Sequence, residues 1–150
     1  MLAGRLINDR LGKIAIFSPI IESEPWGFQS DNWFLNQILV VETDAKPARL
    51  LEVCLEIEAY LGRHRATAYI DRIMDIDILF YDNLVLSKEG LVIPHPRLHE
   101  RLFILKLLTS ICPEFVHPVL GLTIQELLEF CEDDSKTKWF KGSYSVPLLP

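Results

Sequence analysis

The chain has no excess of positive charge, few cysteines and no long apolar run, and each lack removes a class of function. Its 150 residues carry 15 Lys and Arg against 21 Asp and Glu, a net charge of −6. A general nucleic-acid binder needs a basic surface to displace counterions from phosphates, so that class is excluded. Cys54, Cys112 and Cys131 are odd in number and lack ligand spacing, so they read as reduced thiols. No apolar run approaches the ~20 residues of a helical membrane span. Met1–Arg5 offers no apolar secretory core. The expectation is a cytoplasmic protein that engages neither membrane nor nucleic acid. Internal repeats, linkers and low-complexity tracts are also missing. At 49% hydrophobic and 24% charged residues, what remains is an ordinary soluble globule, with residues 1–150 forming one domain.

What is there is an unusual pair of acids. In Met74-Asp75-Ile76-Asp77-Ile78-Leu79-Phe80-Tyr81, alternation places Met74, Ile76, Ile78 and Phe80 on one face of a strand. Asp75 and Asp77 share the other. Residues i and i+2 of a strand stand about 6.6 Å apart, so both carboxylates reach one hard-cation site of the kind that suits Mg²⁺ with substrate phosphates. The competing reading is a solvated edge carrying protective charges. Five of the eight arginines fall between residues 63 and 101, flanking this segment. Any one of them alone reads as a surface charge. Together, beside paired acids, they suit a nucleoside triphosphate, with carboxylates holding the metal and guanidiniums clamping phosphate oxygens.

Periodicity predicts a frame around the pair. Residues 1–12 read as the end of a helix, Ile14–Glu22 as a strand despite Pro19, and Asn36–Thr43 as a second strand, with an aromatic loop between them. Asp44 is the expected cap of a helix with Pro47 in its first turn, a buried stripe of Leu50, Cys54, Ile57 and Leu61, and Gly62 beyond its end. Residues 72–81 are the expected acid-bearing strand, turning at Asp82-Asn83 into a hairpin with Leu84–Leu86. A helix is expected from Arg97 or Leu98 with Leu98, Leu102, Leu105 and Leu108 inward. Thr123 and Glu126 spell a capping box for another. The tail from Cys131, and residues 133–150 in particular, shows no clear period. The fold class is α+β.

The segment Asp71–Leu79, followed by Leu91-Val92-Ile93-Pro94-His95-Pro96-Arg97-Leu98-His99-Glu100-Arg101, resembles the signature of the 6-hydroxymethyl-7,8-dihydropterin pyrophosphokinases of folate biosynthesis. Ser23-Glu24-Pro25-Trp26-Gly27, Phe34-Leu35-Asn36, Glu58 before Gly62-Arg63-His64-Arg65, Cys112-Pro113-Glu114 and His117-Pro118-Val119 extend the resemblance in the same order, from about Gly12 to Leu128. It implies a ferredoxin-like βαββαβ sandwich with added strands and C-terminal helices. It also implies pyrophosphoryl transfer from ATP to the pterin, in a cytoplasmic monomer acting on small molecules. On this resemblance Asp75 and Asp77 would hold a pair of Mg²⁺ ions. Arg72 and Arg101 would clamp phosphates, and Arg63 and Arg65 would supply a second clamp from a lid loop with Tyr69. Glu58, Ile78 and His95 would contact the nucleotide. Ser23, Glu24, Trp26, Phe34, Asn36 and Phe103, with Asp75, would form the pterin site. The ordinary alternative for Trp26, Phe34 and Phe103 is core packing. Arg97 and His99 are weaker candidates, and His64 and His117 read as structural or exposed.

The chain departs from the family in three respects. Tyr69 stands where many members have tryptophan. The Arg65–Tyr69 loop is one residue short of some members and lacks a second basic residue. The family's opening strand and Gly-Ser-Asn turn have no counterpart, so the expectation is a longer product, or a strand-exchanged oligomer in which a partner chain fills the gap. Two other classes stay open, a nucleotidyltransferase using the same acid pair and a non-catalytic pterin- or nucleotide-binding module of the same fold. The first usually needs a Gly-Ser turn and helix upstream of the acids, which this chain lacks.

Overall fold

The helix expected at the start of the chain forms as α1, Leu2–Leu11, burying Ala3, Ile7 and Leu11. The computed structural model describes residues 2–62 and 74–142. Gly12 links α1 to β1, Lys13–Phe17, at a φ of +135°. A side chain there would run into the carbonyl of Glu42, so the close approach demands glycine.

Each of the two strands expected before residue 44 is divided in two. Ile14–Glu22 separates into β1 and β2, Ile21–Ser23. Asn36–Thr43 separates into β3, Phe34–Asn36, and β4, Leu39–Glu42. The antiparallel pairs β1–β4 and β2–β3 lie in different sheets. Pro19 has no N–H for a ladder, and buried Ser18 makes the junction instead. Its amide donates to the Ile38 carbonyl at 2.9 Å, its hydroxyl accepts from the Ile38 amide at 2.8 Å, and its carbonyl accepts from Gln37 Nε2 at 2.9 Å.

Helix α2, Pro47–Tyr60, buries Leu50, Val53, Cys54, Ile57 and Glu58. Its N-cap is Lys46 instead of Asp44, with Pro47 at the first turn, where the missing N–H costs nothing. Gly62 follows the helix at positive φ, as expected. The stripe of α2 packs on Ile7, Leu11 and Ile14, with Leu39, Val41, Ile76, Ile78 and Tyr81 leaning on the same cluster. Burial pushes the Cys54 thiol up to about 11, with the charge of Glu58 adding to it.

Residues 74–81 do not form the expected strand. Among the described residues they join none of the three sheets. The expected alternation nevertheless holds, with Met74, Ile76 and Ile78 partly buried and Asp75 and Asp77 exposed. A strand needs a partner ladder. Here the backbone is tied by isolated bonds, Ile76 N to Glu58 Oε1 at 2.7 Å and His95 N to the Leu79 carbonyl at 2.8 Å. β4 likewise has no strand on its second edge among the described residues.

The Asp82 turn forms with φ +46°, closed by Leu84 N on the Tyr81 carbonyl. The hairpin comes one step later than expected, as β5, Leu86–Lys88, against β6, Leu91–Ile93. The helix expected from Arg97 is interrupted. A 3₁₀ turn, Leu98–Glu100, ends at Arg101, whose φ of −111° and ψ of 107° are extended, and α3 then runs from Leu102 to Thr109. The capping box forms as predicted and opens α4, Ile124–Glu129. α3 and α4 bury Leu98, Ile104, Leu105, Leu108, Ile124 and Leu127 as a second core. The unassigned tail supplies β7, Thr137–Trp139, which pairs antiparallel with the free edge of β2.

Candidate active site

The acidic half of the site rests on Glu58. This carboxylate is buried on α2 and accepts from the Ile76 amide, so the residue between Asp75 and Asp77 is anchored while both acids face outward. Glu58 was expected to touch nucleotide; the solvated helix face weighed against that does not hold, since the side chain is 7% exposed. Ile78 stands beside Asp77 and packs on the first core.

The cationic half is built from the β5–β6 hairpin onward. His95 Nδ1 accepts from the Arg97 amide at 3.2 Å, which leaves Nε2 to carry the proton of the neutral ring. Burial lowers the His95 pKa; Asp77 opposes that shift, and Arg101 and Arg97 add to it. The break before α3 points Arg101 back across the site. Its Nη1 lies 3.5 Å from Asp77 Oδ2, with the guanidinium largely covered and the carboxylate half exposed. Arg101 Nε is buried and has no hydrogen-bond partner among the described residues, a donor that a bound oxyanion would satisfy. Trp26 supplies the floor beneath these cations, its ring 4.3 Å from the Arg97 guanidinium and 4.8 Å from that of Arg101. Leu51, Ile76, Asp77, Ile78, Leu91 and His95 line a hollow of about 300 Å³ at this junction. A more open hollow of about 470 Å³ beside the end of α1 touches none of the expected site residues.

Of the expected pterin residues, Ser23, Phe34 and Asn36 lie on the β2–β3 pair. Ser23 is buried, and its hydroxyl accepts from Asn36 Nδ2 at 3.0 Å. Phe34 meets Phe28 edge to face at 5.6 Å. Phe103, in the first turn of α3, is half-buried against the second core. Glu24 is held by the tail, accepting from the Lys136 amide at 2.9 Å. His117 is structural, as expected: it is buried, and its Nδ1 accepts from the Val119 and Leu120 amides. His99 packs edge-on to it at 6.3 Å. Arg63, His64, Arg65 and Tyr69, expected in a lid loop, and Arg72, expected as a clamp, lie outside the described residues.

Among the described residues no three His, Cys, Asp or Glu side chains gather as a metal cage. Two exposed carboxylates on alternate residues still match the donor set of Mg²⁺, which keeps several waters and is completed by substrate phosphates. No helix among the described residues is long and apolar enough to cross a membrane.

Two outward carboxylates, one of them 3.5 Å from a guanidinium that lies on an aromatic ring, stand on a mixed framework of helices and antiparallel strands, an α+β protein. The sequence model of the 7,8-dihydro-6-hydroxymethylpterin-pyrophosphokinase (HPPK) family matches residues 2–113. The chain belongs to that family. It is 44% identical over 104 residues to the 2-amino-4-hydroxy-6-hydroxymethyldihydropteridine pyrophosphokinase of Methylorubrum extorquens, covering 69% of this chain and 65% of that protein. It is 39% identical over 97 residues to the Bacillus subtilis protein of the same name, covering 65% and 58%. The Schizosaccharomyces pombe folic acid synthesis protein fol1 is 38% identical over 112 residues, 75% of this chain but 15% of that protein. The chain therefore spans less than two thirds of the length of each of these relatives.

Proposed function

We propose that this chain is an ATP-dependent pyrophosphokinase of folate biosynthesis. The hydroxymethyl oxygen of 6-hydroxymethyl-7,8-dihydropterin attacks the β-phosphorus of ATP, the bond from that phosphorus to the α-phosphate oxygen breaks, AMP leaves and the hydroxyl proton passes to solvent. The observation that carries this reading is Arg101, held between Trp26 and Asp77 with a buried Nε that has no acceptor among the described residues. A triphosphate oxygen supplies that acceptor.

Asp75 and Asp77 would hold Mg²⁺, which when bound neutralises the phosphate charge that grows in the transition state. Arg101 orients the triphosphate and takes part of its charge. His95, with Nδ1 already occupied by the Arg97 amide, offers its Nε2 proton to the nucleotide. Arg72, and Arg63 and Arg65 with Tyr69, complete the clamp in the same reading. Phe34 and Phe103 stack on the pterin, Asn36 and Ser23 read its edge, and Trp26 and Glu24 form the adjoining wall. The βαββαβ arrangement, a monomer and a cytoplasmic location follow the family resemblance.

One observation favours a second reading, a pterin- or nucleotide-binding module without turnover. Residues 74–81 and one edge of β4 lack strand partners among the described residues. Product analysis with ATP, Mg²⁺ and the reduced pterin distinguishes the two. AMP and pterin diphosphate in equal amounts support the pyrophosphokinase, inorganic pyrophosphate indicates a nucleotidyltransferase, and tight binding of both substrates without product supports the module.

A further inference from the structure

We propose that Asp133 is a positioning residue for the triphosphate clamp, acting from the tail through the start of α3 on Arg101. This rests on the pyrophosphokinase reading, but the residue lies beyond the family match, which ends at residue 113. Arg101 is the N-cap of α3 and provides no side-chain cap. The cap comes from 31 residues downstream, where Asp133 Oδ2 accepts from the Leu102 amide at 2.8 Å. Oδ1 accepts from the Ser135 amide at 3.0 Å. A carboxylate at a helix start also meets the positive end of the helix dipole. The Trp26 indole contributes to the same carboxylate: burial opposes the Asp133 charge, and Ser135, the Leu102 amide and finally the indole lower its pKa in spite of it. One side chain thus caps the peptide that sets the direction of Arg101, whose guanidinium in turn lies on the Trp26 ring.

The tail is fastened firmly enough to serve as a fixed point. β7 pairs with β2, Glu24 N donates to the Lys136 carbonyl at 3.1 Å, and Lys106 Nζ donates to Thr137 Oγ1 at 2.8 Å. These bonds hold Asp133 between the expected pterin loop and α3. Without the carboxylate, the extended backbone at Arg101 loses its tether, and the guanidinium is no longer preorganised over Trp26 and toward Asp77.

The test compares Asp133→Ala, Asp133→Asn and the control Thr137→Val, which weakens the tail without touching the carboxylate. Asp133→Ala should raise the KM for ATP about tenfold, the scale of one charge-assisted hydrogen bond, with kcat and the pterin KM changing much less. Asp133→Asn, which keeps one acceptor oxygen, should recover most of the loss, and Thr137→Val should leave the ATP KM unchanged. A second readout needs no turnover. With Trp33 and Trp139 replaced by Phe, acrylamide quenching of Trp26 should rise in Asp133→Ala as the ring loses its guanidinium cover. A lower melting temperature with unchanged ATP KM and unchanged quenching would reduce Asp133 to a stabilising cap and overturn the proposal. If the unaltered protein makes no AMP, the pyrophosphokinase reading fails, and unchanged quenching would then overturn the Asp133 tether by itself.

Discussion

The two halves of the candidate site are held in different ways. His95, Arg97 and Arg101 ride on elements closed by backbone bonds, the β5–β6 hairpin, the 3₁₀ turn and α3, over a core in which Leu98 and Leu105 are fully buried. Asp75 and Asp77 ride on a segment whose ties include the Glu58 carboxylate on the Ile76 amide and a backbone hydrogen bond from His95 to Leu79, with no ladder among the described residues. The cations are therefore preorganised, while the acids depend on side-chain ties and on the charge they face. Local stability follows the number of backbone bonds and buried contacts. Ligand binding should accordingly change the acidic half more than the cationic half.

The largest expected effect comes from the acids. Asp75→Asn or Asp77→Asn should lower kcat by about 10² to 10³, the usual loss for one electrostatic partner of a transition state. The melting temperature should change little, because neither acid is buried and an exposed pair such as Asp77 with Arg101 contributes little to stability. Near-wild-type rates at saturating Mg²⁺ would remove both residues from the site.

Next is the tie beneath them. Glu58→Ala removes the acceptor of the part-buried Ile76 amide and should cost about 1 to 3 kcal/mol. Glu58→Gln keeps an acceptor and should recover most of it. Chemical denaturation of the three proteins measures both, and equal stability of Glu58→Ala and the unaltered chain would mean the acidic segment is held by something else. On the cationic side, Phe103→Ala should weaken pterin binding by about 1 to 3 kcal/mol, by analogy with base stacking on aromatics, and leave ATP binding unchanged. Calorimetry with each ligand separates the stacking role from plain core packing.

The smallest expected effect is a pH slope. Burial lowers the pKa of His95 and of His117, with His99 adding to the shift at His117. The folded state then favours the neutral rings. Their contribution is fully present above the unfolded histidine value of about 6.5 and is lost as pH falls through the lowered folded values. Thermal melts between neutral and mildly acidic pH should show declining stability, and His95→Gln should flatten part of that decline. An unchanged slope in His95→Gln would place the titration elsewhere.

Much of the site was legible because its chemistry is local in sequence. The alternation around Asp75 and Asp77, the His95–Arg101 run and the Thr123–Glu126 box each carry their signal within about ten residues. What was illegible depended on distant partners. The apolar runs 14–22 and 36–43 read as single strands because periodicity does not reveal which sheet each half will join; Pro19 was the one local hint of the break. The acid segment has strand alternation but no ladder, and alternation reports burial, which it correctly predicted, and not pairing. At the interruption, the Leu102 amide is capped by a carboxylate 31 residues further on, and the tail strand needs the free edge of β2. Neither is written in the residues beside it.

The division between a prebuilt cationic half and a weakly tied acidic half is tested most directly by hydrogen exchange, with and without Mg²⁺ and a non-hydrolysable ATP analogue. Before ligand, the amides of residues 104–108 should be strongly protected and those of residues 75–79 weakly protected. On addition, protection should rise chiefly at residues 75–79. Strong protection of residues 75–79 without ligand, or a change confined to α3, would contradict the division.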